Sequence, residues 1–332
     1  MTDYKTIFGK NIRLQTSDLT MSTATEGELF YSATDNEFKV GVSVLAWSAG
    51  GNLNGPRDSL MTGDNSTQTA GIVFGGHIGP GMQATTETYD GSSWTDVGDL
   101  NTARQLGAGA GTQTAALCAG GKVPPGSTDK DESEEYDGSS WTEGNDMGTA
   151  RYGLAGAGSQ TAAVAFGGYV TAQLDQTEEY DGTSWSEVND LNTAKYDVAG
   201  CGSQTAALGF GGYDTASSAV TEEYDGTNWT ASNNLNTARR RTAGGGVQTD
   251  ALCFGGLRAP SNTLATNTEN YDGTSWTAVP SMGTARYYLG GLGASGTAGL
   301  AMGGLTSGSA TAYTAATEEF SATVTLKTVT DS

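Results

Sequence analysis

The chain has 332 residues, 50 of them glycine, with 16% charged residues and a formal net charge of −21. An acidic field of that size repels phosphate backbones and sets nucleic-acid binding aside; its plainer role is to keep copies apart in solution. No stretch approaches the roughly 20 apolar residues of a membrane-spanning helix, no apolar run of secretion-signal length opens the sequence, and three cysteines (Cys118, Cys201, Cys253) without a CxxC spacing support neither a disulfide framework nor a zinc site.

Residues 1–45 stand outside the pattern that follows. Asn11-Ile12-Arg13-Leu14 alternates polar and apolar residues and predicts a strand. The runs Gly27-Glu28-Leu29-Phe30-Tyr31 and Glu37-Phe38-Lys39-Val40 flank Ser-Ala-Thr-Asp-Asn and predict a β-hairpin.

From residue 46 to residue 320 the chain repeats. Tryptophans stand at Trp47, Trp94, Trp141, Trp185, Trp229 and Trp276, spaced by 47, 47, 44, 44 and 47 residues. Ten residues after each comes a base: Arg57, Arg104, Arg151, Lys195, Arg239 and Arg286. Gly-Gly pairs follow at 75–76, 120–121, 167–168, 211–212, 255–256 and 303–304. Then come a glutamate (Glu87, Glu134, Glu178, Glu222, Glu269, Glu318) and, two residues on, an aromatic: Tyr89, Tyr136, Tyr180, Tyr224, Tyr271 or Phe320. A fixed period in the forties marks a repeat architecture. One unit reads as four short strands. The first two are joined by a Gln-Thr turn; the last two by Asp-Gly, which suits a tight hairpin because glycine accepts a positive φ. The tryptophans and tyrosines are expected to pack between sheets, and the Glu and Arg/Lys positions to form ion pairs. The segment after each Gly-Gly varies in length and content (77–85, 122–132, 169–176, 213–220, 257–267, 305–316). Finally, residues 322–329 alternate like an edge strand and, with 321–332 as a tail, are expected to leave near the point where the N-terminal segment enters.

The ordered set of Gly-Gly, Glu-x-Tyr-Asp-Gly and Trp resembles the kelch repeat over residues 47–320. The resemblance implies an all-β fold, a six-bladed β-propeller of four-stranded kelch-like blades. Because Trp47 precedes the first Gly-Gly and no tryptophan follows Phe320, the sixth blade is expected to take its outer strand from the N-terminal side, closing the ring at Trp47 and removing an open sheet edge. In such a blade the variable loops share one face and the Gln-Thr and Asp-Gly turns the other. Recognition usually sits on loops carried by a rigid scaffold, which makes His77, Lys122, Tyr169, Tyr213 and Arg258 the candidate ligand contacts.

His77 is the only histidine, so neither a multi-histidine metal site nor the copper centre of kelch-type oxidases is expected, and no cofactor is assigned. The Asp-Gly-Ser-Ser-Trp turns resemble a sialidase Asp-box but miss its register. Asp129-Lys130-Asp131-Glu132 lacks EF-hand spacing and reads as a solvated acidic loop; weak calcium binding near Asp129 and Asp131 is left open. No carboxylate pair or Tyr/Arg cluster is visible in the sequence, and no catalytic residue is assigned.

The segment from Glu26 to Val40 resembles the short Gly-x-Leu-x-Tyr and Asn-x-Phe modules of bacteriophage tail-fibre and other virion proteins. The resemblance implies a non-enzymatic protein of a phage particle: a fibre, knob or surface decoration. Its N-terminal segment would join other virion proteins and its variable rim would meet a host surface molecule, such as a glycan. Phage appendages are commonly trimeric, so a homotrimer fits the analogy. Two other readings stay open: a glycan-active enzyme on a propeller scaffold, and a cellular kelch interaction module.

Overall fold

The computed structural model describes residues 4–7, 10–15, 29–32, 35–124, 128–309 and 311–329. The chain divides into two compact units: Trp47–Phe320, and Met1–Ala46 with Ser321–Ser332. Every regular element among the described residues is a β-strand.

In the smaller unit, Lys10–Gln15 pairs antiparallel with Tyr4–Ile7 and parallel with Leu29–Ser32. Leu29–Ser32 in turn forms a hairpin with the start of strand Glu37–Ala49, and Tyr31 meets Phe38 edge-on at 5.2 Å. Residues 27, 28, 33 and 34 of the expected hairpin lie outside the described residues. From the C-terminal side, the Val329 N–H donates to the Phe38 carbonyl (2.8 Å).

The larger unit is propeller-like. Five four-stranded antiparallel sheets follow one another; the second, for example, runs Ala108–Thr112, Ala115–Ala119, Ser133–Tyr136 and Trp141–Glu143. A sixth set is ordered Gly290–Ser295, Ala298–Met302, residues 317–320 and residues 47–49. Short strands rich in Ala and Gly form because the inner strands crowd one another. A Cβ on Gly109 would lie 2.2 Å from the Thr62 carbonyl oxygen, and one on Gly156 would lie 2.5 Å from that of Gly109. Only glycine permits such backbone approach.

Each repeated residue has a mechanical role. The base and glutamate of every unit lie buried together. Arg104 Nη2 donates to Glu134 Oε1 at 2.8 Å, with both residues 1% exposed. Arg57–Glu87 (2.8 Å), Arg286–Glu318 (2.9 Å) and Arg239–Glu269 repeat the contact. Arg151–Glu178 and Lys195–Glu222 stand at 3.2 Å, off the hydrogen-bond line. Burial lowers the pKa of Arg57, Arg151, Lys195 and Arg286 and raises that of Glu87, so part of the ion-pair energy is spent on desolvation. The other arginine nitrogens hold the foot of the variable loop. Arg104 Nη1 donates to the carbonyls of Gly120 and Glu132, and Arg286 Nη1 to those of Gly303 and Ala316. Each double glycine adopts positive φ at both residues, and its second N–H donates to the base carbonyl of the next unit: Gly76 to Arg104, Gly121 to Arg151, Gly168 to Lys195, Gly212 to Arg239, Gly256 to Arg286 and Gly304 to Arg57.

Three polar contacts stitch neighbouring sheets. The Trp94, Trp141, Trp229 and Trp276 indoles donate to the hydroxyls of Thr317, Thr86, Thr177 and Thr221 (all 3.0 Å), and Trp47 to Thr268 (2.9 Å). The tyrosine hydroxyls reach the residue after the paired glutamate one sheet back: Tyr89 to Glu319, Tyr180 to Glu135, Tyr224 to Glu179 and Tyr271 to Glu223. The Gln-Thr turn contributes its amide, as when Gln160 donates to the carbonyls of Ala116 and Tyr136.

The exceptions follow the same logic. Ser133 stands where Trp185 would find a threonine, and its hydroxyl donates to the Asn145 carbonyl instead, leaving Trp185 Nε1 without a partner. Asn270 replaces the glutamate where Phe320 replaces the tyrosine, so donor and acceptor disappear together. Thr88 replaces the glutamate beneath Tyr136, whose buried hydroxyl is unpartnered. Thr88→Glu is therefore expected to stabilise the chain by about 0.5–1.5 kcal/mol, the net worth of one hydrogen bond, read as a higher urea midpoint. Tyr136→Phe in the Thr88→Glu background should remove the gain.

A candidate binding site at the mouth of the inner channel

Of the two residues after each buried base, the second lines a cavity between the inner strands and the first pairs with the neighbouring loop. At the first position stand Asp58, Gln105, Tyr152, Tyr196, Arg240 and Tyr287. Each forms a β-bridge with the residue after a double glycine: His77, Lys122, Tyr169, Tyr213, Leu257 and Leu305. His77, Lys122, Tyr169 and Tyr213 therefore share one register around the mouth. Arg258 sits one residue beyond it and donates to Asn267 (3.2 Å); the cations of that unit at the mouth are Arg240 and Arg241.

At the second position stand Ser59, Leu106, Gly153, Asp197, Arg241 and Tyr288, and every one has a φ between 51° and 67°. Backbone N–H groups link them head to tail: Ser59 to the Tyr288 carbonyl, Tyr288 to Arg241, Arg241 to Asp197, Gly153 to Leu106 and Leu106 to Ser59. Glycine is the natural occupant of left-handed backbone; a side chain there costs roughly 1–2 kcal/mol. Five of the six positions nevertheless carry one. Strain of that kind concentrates at functional sites.

The side chains form two clusters. On one side Tyr152, Tyr169, Tyr196 and Tyr213 make a half-buried aromatic run, with centroids 5.6 Å (Tyr152–Tyr169), 5.1 Å (Tyr169–Tyr196) and 5.4 Å (Tyr196–Tyr213) apart. Lys122 Nζ lies 3.8 Å over the Tyr152 ring and pairs with Asp129 (2.6 Å); Arg240 lies 4.7 Å over Tyr213. In the middle, Arg241 Nε donates to Asp197 (2.8 Å), and its guanidinium lies 4.3 Å over the Tyr288 ring. Beneath is a cavity of about 100 Å³ lined by Ser59, Leu106, Asp197, Arg241 and Tyr288 among others. Burial raises the pKa of Asp197, with Arg241 pulling the other way, and raises that of the Tyr288 phenol. The arrangement offers flat aromatic faces, fixed cations and hydroxyls. The acidic loop is internally paired: Asp129 with Lys122, and Glu132 with Lys130 (2.5 Å). Among the described residues no three His, Cys, Asp or Glu side chains are grouped to hold a metal ion.

No protein-family model and no curated protein matches the chain. The site therefore rests on its own geometry. The sequence reading missed Asp58, Tyr196, Arg240, Arg241 and Tyr288 because it compared loops. The signal available was two successive positions that vary between units, the second different in every one, directly behind the repeated base.

His77 Nδ1 lies 3.5 Å from Asp58 Oδ1 and 3.3 Å from the Tyr313 hydroxyl. Both contacts fall on one nitrogen, so the imidazole does not relay a proton between them. Burial raises the Asp58 pKa to about 7, against the opposing pull of Arg241. For a carboxyl with a raised folded pKa, the stabilisation from proton uptake is complete below its ordinary value of 3.8 and is lost as pH climbs through about 7. Asp58→Asn should match wild type near pH 4 and become more stable, by about 4 kcal/mol, at pH 8. Urea midpoints across that range would show it; a gap that narrows with rising pH would contradict the burial argument.

Proposed function

We propose that the larger unit is a closed ring of six blades that binds its ligand at the mouth of the channel, without covalent chemistry. Closure is supported by two circuits that return to their start: the glycine-to-base bonds, in which Gly304 reaches back to Arg57, and the indole bonds, in which Trp47 takes the place of a sixth-blade tryptophan. The observation that carries the binding reading is the mouth itself, where five side chains are held in left-handed backbone beside an aromatic run. Tyrosines with nearby arginines give rigid amphipathic contact surface, and a pocket of convergent polar groups in an apolar wall is the usual form of a ligand site. Half-buried ring faces suit the C–H faces of sugars, and Arg240 and Arg241 suit hydroxyl or carboxylate substituents. We propose a host-surface glycan as the ligand class. The particle context, with the N-terminal segment as the attachment to other virion proteins, rests on the tail-fibre-like motif at residues 26–40.

A glycan-active enzyme is the second reading, because the fold assembles a Tyr/Arg/Asp cluster that was not visible in the sequence. Its electrostatics favour binding. Tyr288 has its pKa raised by burial, opposite to what a phenolate nucleophile needs, and Arg241 is already neutralised by Asp197. Tyr196→Ala is expected to lower affinity for a responsive polysaccharide, from a panel of purified bacterial surface polysaccharides, at least tenfold while leaving the melting temperature near wild type. Product release from any panel member would select the enzyme. Purified particles that lack this chain by mass spectrometry would remove the virion setting and leave the mouth site standing.

A further inference from the structure

One unit breaks the repeat inside the channel. In the second to fifth units nine residues separate the buried base from the glutamine of the turn, as from Arg104 to Gln113; in the first, eleven separate Arg57 from Gln68. The two extra residues fall beside Asp64, which lines an open cavity of about 120 Å³ between the inner strands. Asp64 is 6% exposed, its Oδ2 has no partner, and the Gly202 amide of the fourth unit is the one group that favours its ionised form. No lysine, arginine or histidine lines the cavity.

The wall around Asp64 is largely backbone, because Gly109, Gly156, Gly200 and Gly244 line it and contribute no side chain. Carbonyl oxygens of Thr62, Gly109 and Gly244 are turned toward the neighbouring inner strand, each within 2.8 Å of where a glycine's Cβ would stand. Toward the mouth, Leu60, Leu154, Val198 and Leu289 narrow the passage with apolar side chains. A buried carboxylate without a partner costs several kcal/mol; burial raises the pKa of Asp64 well above its ordinary value, and either a proton or a bound cation covers its charge.

We propose that the channel binds one alkali-metal cation, with Asp64 as its only charged ligand and backbone carbonyls and water completing the shell. The charge count selects the ion: one carboxylate and one monovalent cation are neutral together, whereas a divalent ion would leave a net positive charge in a low-dielectric space. Carbonyl oxygens replace the hydration shell of alkali ions in protein filters, and divalent ions collect several carboxylates. About 120 Å³ holds the ion with a few waters, each taking roughly 30 Å³.

The test is thermal unfolding of the full chain in NaCl, KCl and choline chloride at equal ionic strength. Wild type should melt higher in NaCl or KCl, by about 2 °C for each tenfold rise above the dissociation constant, and Asp64→Asn should melt alike in all three. As a second readout, wild-type chain should broaden the ²³Na resonance, an effect removed by Asp64→Asn or by competing potassium. Equal wild-type melting in the three salts together with no ²³Na broadening would overturn the proposal. So would an alkali response that Asp64→Asn keeps, or stabilisation by millimolar CaCl₂ in choline chloride without any alkali response. Should Asp64→Asn fail to fold, the wild-type salt series and potassium competition decide alone.

Discussion

Glu134→Ala is expected to lower stability by about 3–5 kcal/mol, the cost of leaving one member of a buried ion pair without its partner. The size follows from what the carboxylate holds. Its Oε1 accepts from Arg104, and its two oxygens also take the backbone N–H groups of Asn101 (2.6 Å) and Thr102 (3.2 Å). Removing it strands a guanidinium that is 1% exposed and frees the segment that leads into the inner strand. Glu132→Ala, two residues away, breaks the exposed pair with Lys130 and should cost no more than about 1 kcal/mol. Arg104→Met with Glu134→Leu should recover much of the loss, because removing both charges also removes their desolvation cost. Urea midpoints at constant slope would measure all three; a Glu134→Ala loss as small as that of Glu132→Ala would refute the buried-pair account.

The second large effect is expected at Trp47. Its indole donates to Thr268 and its ring packs 5.1 Å from Phe254 and 5.2 Å from Phe320. Trp47→Ala should cost about 2–3 kcal/mol, below the range for a fully buried tryptophan because the ring is half-buried. Trp185→Ala, where the indole nitrogen has no partner and the ring is likewise half-buried, should cost less. Truncation is the sharper experiment. A chain beginning at residue 46 should retain a cooperative melt near wild type, because the strand carrying Trp47 remains. A chain beginning at residue 51 should lose that strand, leave the third strand of its sheet uncovered, and unfold at markedly lower temperature. Equal melting of the two truncations would show that closure does not depend on this strand.

Much of the architecture was legible because the repeat exposes it. Where six tryptophans, bases and glutamates recur in one phase, a four-stranded unit follows from turn chemistry, and the early position of Trp47 implies a shared last sheet. The glutamine of the Gln-Thr turn was read only as a turn residue. Its reach to the carbonyls of the sheet before it needed coordinates, since nothing in spacing says where a side-chain amide points. The channel and its mouth were hidden for a different reason. They are built from residues that differ between units, and a repeat search is blind to what it averages away. Arg258 looked like the basic residue of its loop, but the β-bridge register puts Leu257 in the equivalent place and leaves the role to Arg240. Asp64 was passed over because a two-residue lengthening looks like drift until a cavity between the inner strands receives it.

The arginine clamp has a consequence for change over time. In three units, those of Arg104, Arg239 and Arg286, its guanidinium ends on two main-chain carbonyls at the foot of the loop, such as those of Gly120 and Glu132, and main-chain atoms are common to all residues. Whatever is spliced between those two carbonyls, the frame receives the same hydrogen bonds. These loops can therefore be rewritten, one at a time, by insertion, deletion or recombination, while the frame beneath keeps its stability and its shape.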